Sequence, residues 1–458
     1  NWPECQCDMY LAVGDLVGWQ ACIDGIYTPP PPSGQSCPST NPFRPGGFVK
    51  VQDTEFVGDS SVETMRGVRR IKVILKDNWF TEDEVWTNDD GCFKVNETYK
   101  GKLWMWVKFT GDRCKIRGVP NGATGYYEFI KPIKDYIGTV NGAPFNNIEV
   151  NYFTYDEVGS KGHIRWGAST VNNALHEFHD FAAADGISPP PYNLDIFVSK
   201  STDFGYALMT KKIGPGPVTS AVTSGLAAGS LDWFDALIFN GEIGAIAGAL
   251  GIAPVISIFF PDVHVGIDLN NNFALRFSDD LKQLAYHEIA HASQHAHLGD
   301  FYWLKVIEAE VAANGWGDGS ENEAGRVALV ESWADFIGTT YAHRTYGDNN
   351  SVPGNWNTQL ERTWNEVPNH VPIGLHHDLV DAAIGSEVPN PCDADVMNGI
   401  PNCTTMIDNV DGFTISQLFS SLNSDVKNPG QYFDELIDNH LGSTTNTQAE
   451  VGQLFLNY

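Results

Sequence analysis

The stretch Leu281-Lys282-Gln283-Leu284-Ala285-Tyr286-His287-Glu288-Ile289-Ala290-His291-Ala292-Ser293-Gln294-His295-Ala296-His297 decides the reading of this chain. From Phe277 to Tyr286 it holds no Pro or Gly, and its apolar residues keep helical spacing, so a long helix is expected over Leu281–His297. Inside it, His287 and His291 are four residues apart and share one helix face, where two imidazoles can reach one metal ion. Glu288 projects beside them, placed to take a proton from a metal-activated water.

A catalytic zinc needs a third protein ligand and an open fourth position. Two residues compete for the role. His297 lies ten residues after His287, but no Gly turns the chain between them and Ala292–Ala296 is good helix. Ten helical residues turn through about 1000° and advance about 15 Å, which points His297 away. Glu331 lies on a second long helix expected over Glu323–Arg344. Val327, Leu329, Val330, Trp333 and Phe336 around it are apolar, and a carboxylate on a buried helix needs a partner. Asp335, one turn on, could accept the remaining N–H of a ligand histidine.

HExxH paired with a downstream Glu331-Ser332-Trp333-Ala334-Asp335 resembles the gluzincin zinc metallopeptidases. The likeness runs through His291-Ala292-Ser293, Gly299, Tyr302-Trp303 and Gly374-Leu375-His376-His377-Asp378, over roughly residues 255–440. It looks like the secreted or surface-anchored bacterial members rather than close thermolysin relatives, since His291 and Glu331 are further apart here. The resemblance implies one Zn2+ on His287, His291 and Glu331, with Glu288 as general base and acid and Asp335 behind a ligand histidine. It also implies a Tyr or His that stabilises the oxyanion; His376 is the first choice, with Tyr341, Tyr346 and His343 as alternatives.

Upstream the pattern changes. Short alternating runs at Phe48–Val51, Arg69–Leu75, Glu84–Thr87, Cys92–Val95 and Leu103–Phe109 suggest an antiparallel β-sandwich over 46–136. Asn88-Asp89-Asp90-Gly91 reads as a hairpin turn. Gly67–Val73 and Trp86–Val95 resemble the carboxypeptidase-regulatory-like (transthyretin-like) sandwich, with Asp89, Gly91 and Phe93 on its hairpin motif and Asn88 where that family has Thr. Three segments follow: a Cys- and Pro-rich stapled stretch over 1–45, the sandwich over 46–136, and a mixed α/β, mainly helical zincin-like domain over 137–458. The fold class expected is multidomain α+β. Further elements expected are a helix over Ser169–Ala184, strands at Asn193–Val198 and Val255–Phe260, and helices at Ile415–Leu422 and Tyr432–Leu441. Val263–Leu269 reads as an edge strand able to pair with an extended peptide.

The chain has 458 residues, with 28 Lys and Arg against 57 Asp and Glu. A net charge of -29 argues against a nucleic-acid partner, because phosphate binding depends on Lys and Arg displacing counterions. The 18 residues Ile243–Phe260 lack charge but carry Gly244, Gly248, Gly251 and Pro254 and no basic anchor, so no membrane span is expected. Cys5, Cys7, Cys22, Cys37, Cys92, Cys114, Cys392 and Cys403 form an even set without CxxC, which reads as disulfides in an oxidising compartment. A local Cys392–Cys403 bridge is expected and Cys92 with Cys114 is one pairing open to the sandwich, but the sequence does not fix the connectivity. Together with an N-terminus at Asn1, this suggests a secreted or cell-surface chain after signal-peptide removal. Asp318-Gly319-Ser320-Glu321-Asn322-Glu323 is rich in oxygen and could hold Ca2+, or serve as a turn capping the next helix.

The expectation is therefore a secreted zinc peptidase acting on a peptide or protein substrate. The alternative is a structural or adhesive extracellular protein that keeps a metal-binding, non-catalytic peptidase-like domain. Self-assembly is left open by the sequence.

Overall fold

The computed structural model describes residues 39–57, 60–77, 82–121, 130–154, 157–228, 260–268, 273–346, 370–380 and 409–456. Cys5, Cys7, Cys22, Cys37, Cys392, Cys403 and residues 243–259 lie outside these. The described chain is mixed α and β, with three sheets and a set of helices.

The first sheet is built on β1 (Gly46–Val57), which pairs antiparallel with β2 (Ser60–Gly67) and β5 (Cys92–Lys94). The second has the order β4-β3-β6-β8: β4 (Glu82–Trp86), β3 (Lys72–Lys76), β6 (Lys102–Lys108) and β8 (Lys134–Asn141), all antiparallel. Alternation sets its two faces. Val73, Leu75, Leu103, Met105 and Val107 are buried, while Lys102 and Tyr136 are exposed. The Asn88–Gly91 turn forms, with Asn88 Oδ1 accepting from Asp90 N and Cys92 N. It does not make a hairpin: β4 pairs with β3 and β5 with β1, so the turn carries the chain from one sheet to the other.

The third sheet ties this front region to the rest. β7 (Cys114–Gly118) runs parallel to β10 (Leu194–Ser199), which runs parallel to β11 (Val263–Gly266). β9 (Ile148–Tyr152) lies parallel to β1, and β8 spans residue 136 itself. Strands from both sides of the expected boundary thus share sheets. One cluster of buried apolar side chains runs from Val49 to Leu454.

Helix α1 (Lys161–Asp185) starts earlier than expected because Ser160 caps it, accepting from His163 N. It is followed by α2 (Pro215–Ala228), α3 (Ser278–Leu298), α4 (Asp300–Ala313), α5 (Ala324–Tyr346), α6 (Ile415–Ser421), α7 (Pro429–His440) and α8 (Gln448–Phe455). No helix among the described residues is long and apolar enough to cross a membrane. Polar groups wire β1 to the helices. Thr54 N donates to Ser278 Oγ at 3.0 Å, and Ser278 N donates to Thr54 Oγ1 at 3.1 Å. Asp53, 4% exposed, meets Arg66 at 2.7 Å, Lys282 at 3.4 Å and the Tyr346 hydroxyl at 2.9 Å.

Two cysteine expectations are settled here. Cys114 is a free, buried thiol between β10 and α1, and burial pushes its pKa up. Cys92 is disulfide-bonded. The pairing of Cys92 with Cys114 does not form, and the even count of eight does not mean four bridges.

Candidate metal centre

α3 carries the chemistry. Asp279 and Asp280 stand in its first turn, where carboxylates suit the helix dipole. It runs unbroken past His297 and ends at Gly299. His297 therefore turns away from His287 and His291, and its ring packs 4.4 Å from Phe419. α5 crosses α3 at Gly338, where a Cβ would stand 3.2 Å from His287 Cβ. That close approach brings Glu331 to the two histidines.

His287 Nε2 lies 3.1 Å from His291 Nε2. Glu331 Oε2 is 3.3 Å from the first, and Oε1 is 3.3 Å from the second. Three ligands at 2.0–2.2 Å around a tetrahedral ion stand about 3.3 Å apart, the spacing seen here. The far sides of both rings say which nitrogens hold protons. His287 Nδ1 faces Asp335 Oδ1 at 2.9 Å, and His291 Nδ1 faces Gln294 Oε1 at 3.0 Å. Both Nδ1 atoms thus donate, and both Nε2 lone pairs point into the same space. Two lone pairs at that distance repel unless a cation lies between them. Two imidazoles and one carboxylate, with their donor atoms within 4.8 Å of one another, form a group that could hold a metal ion.

The charges agree. Burial alone would raise the Glu331 carboxyl, but the charge of His291 and hydrogen bonds from His287 and His291 hold it well below the usual range. Burial alone would lower His287, yet the charge of Asp335, its hydrogen bond and that of Glu331 raise it well above the usual value. A proton and a metal ion therefore compete for His287. Burial lifts Glu288 to about 7, against the pull of His287 and His291. Glu288 is 3% exposed and its Oε2 has no hydrogen-bond partner.

Glu288 faces a cavity of about 600 Å³ that is lined also by His287, His291, Glu331 and Asp335. The segment Asp203–Leu208 lines it too. Tyr206 N donates to His264 O at 3.1 Å and His264 N donates to Tyr206 O at 2.8 Å, so this segment covers the outer edge of β11. The edge expected at Val263–Leu269 is thus paired at His264 by the chain itself, and Asp203–Leu208 line the cavity beside the triad. Gly205 sits against Glu288: a Cβ there would lie 2.4 Å from Glu288 Cγ and 2.5 Å from its Oε1.

The sequence reading missed Gly205, Gln294 and Glu310. Glu310, on α4, lines the cavity. Burial, the Glu331 charge and a hydrogen bond with Glu331 raise its carboxyl well above the usual range, so it keeps its proton for Glu331.

His376 is not brought to the site. It is fully buried on the other side of α5, with Nδ1 2.8 Å from Ser332 Oγ and its ring beside Trp333, Phe336 and Tyr432. Ser332 follows Glu331, and neighbouring helix residues point about 100° apart, which places His376 away from the metal. Tyr341 donates to Asp185 Oδ2 and Tyr346 to Asp53 Oδ1, both away from the cavity, and His343 does not line it. In the loop considered for Ca2+, Glu321 accepts from the backbone N–H groups of Asp318 and Gly319, and Asp318 Oδ1 from that of Ser320. These carboxylates hold the turn before α5, and the acid cluster does not converge on an ion. Compared with protein-family models, curated proteins and solved structures, the chain matches none of them.

Proposed function

We propose that the chain is a secreted, zinc-dependent peptidase of gluzincin kind. In this reading the first two sheets form a carboxypeptidase-regulatory-like sandwich, and the helices with the third sheet, which takes β7 from the front region, form a zincin-like catalytic part. The observation that carries it is the convergence of two Nε2 lone pairs and the Glu331 carboxylate next to an unpartnered, buried Glu288 oxygen. The disulfide at Cys92 supports an oxidising compartment.

His287, His291 and Glu331 would hold the ion. When bound there, zinc supplies Lewis acidity and lowers the pKa of water. Asp335 and Gln294 fix the tautomer of each ligand histidine by accepting from Nδ1–H. Glu288 accepts a proton from the attacking water and then delivers it to the leaving amine nitrogen. Its carboxyl near pH 7 suits both transfers. The 203–208 segment offers backbone groups to an extended peptide.

The test is hydrolysis of a mixed peptide substrate by zinc-loaded chain and by Glu288→Gln. The variant should keep its zinc and lose activity by at least about a hundredfold. Zinc retained without hydrolysis in the unaltered chain would favour the structural or adhesive reading.

A further inference from the structure

We infer that the cavity selects substrates carrying a Lys or Arg side chain within two residues of the scissile bond. This inference rests on the peptidase reading and adds the substrate class.

The lining is electrostatically one-sided. Besides Glu288, Glu331 and Asp335 it contains Asp203 and Asp280, and no Lys or Arg; Glu310, also in the lining, keeps its proton and adds no charge. A bound divalent ion leaves that balance negative. Burial, and then the charge of Asp279, push Asp280 up to about 8. Lys282, two residues on, is held by Asp53 and Glu177. A part-buried carboxyl without a countercharge is unfavourable, and a cation from the ligand relieves it.

Asp203 and Asp280 occupy the same end of the cavity. On α3, Asp280, Leu284, His287 and His291 follow at helical spacing along the lining face. The wall segment runs in the same sense. Gly205 stands at Glu288, while Ala207 O accepts from Trp303 Nε1, and the Trp303 ring is 5.6 Å from His291. Asp203 therefore lies toward the Asp280 end, two residues along the chain from the Gly205 that meets Glu288. Phe204, Leu275 and Leu284 line the cavity as well. Apolar walls ending in carboxylates suit a side chain with a methylene stem and a charged head.

Matched peptides with Lys, norleucine or Glu beside the scissile bond test this. The Lys peptide should exceed the norleucine peptide in kcat/KM by about tenfold and the Glu peptide by more. In Asp203→Asn/Asp280→Asn the Lys advantage should fall to about one, with zinc content unchanged. Calorimetry on zinc-loaded Glu288→Gln should show the same order in binding. Equal cleavage of Lys and norleucine peptides, or a preference that survives the double variant, overturns the inference and leaves the peptidase reading standing. If no peptide is cleaved, the peptidase reading fails, and the inference then falls unless calorimetry still ranks Lys above norleucine.

Discussion

Gly205 and Glu288 occupy one contact: the backbone of the wall segment lies where any Cβ would strike the Glu288 carboxylate. Gly205→Ala should therefore displace that carboxylate. The expected result is a fall in kcat of about ten- to a hundredfold with KM and zinc content little changed. Steady-state kinetics beside metal analysis check this, and unchanged kcat would refute the positioning role.

Asp335 and Gln294 act through the ligand histidines. Asp335→Ala and Gln294→Ala should each weaken zinc binding by about ten- to a hundredfold while leaving the fold intact. Competition against a zinc chelator measures the shift. Affinities equal to that of the unaltered chain would show that the Nδ1 contacts do not set the tautomers.

Asp53 joins β1 to both helices that carry the His287, His291 and Glu331 triad, through Lys282 and Tyr346. Asp53→Ala leaves the Lys282 ammonium, 1% exposed, with Glu177 alone. A loss of about 3 kcal/mol is expected in denaturant unfolding. A stability within 0.5 kcal/mol of the original, on the order of a surface change, would mean that the front sheets and the helices are independent.

Acid should unfold the chain early. Burial holds His264 and His376 neutral down to about 3. Unfolded, each takes a proton near pH 6.5. Between those values the unfolded state binds more protons at these two sites, so their contribution to stability is full above about pH 6.5 and is lost as pH drops toward 3. Thermal midpoints from pH 7 to 4 should decline, and less steeply in His376→Gln. A flat profile would contradict the assignment.

Some of this was legible in the sequence because it is local. His287 and His291 share a face by spacing alone, and the apolar neighbours of Glu331 marked its carboxylate as one needing partners. The turn at Asn88–Gly91 was legible, but its outcome was not, because which strand pairs with which depends on sheets closed from distant segments. β7 was missed: Cys114–Gly118 is short, and its burial does not alternate cleanly. Gly205 and Asp203 gave no signal, since their meaning lies in contacts with residues some 80 positions away. His376 misled because its motif adjoins the metal helix in space but meets the face of Ser332, not that of Glu331.

Metal content of Glu331→Gln tests the central claim most directly. The unaltered chain should carry one zinc after dialysis, and the variant should carry almost none under the same conditions. Tight, stoichiometric zinc in the variant would contradict the triad of His287, His291 and Glu331.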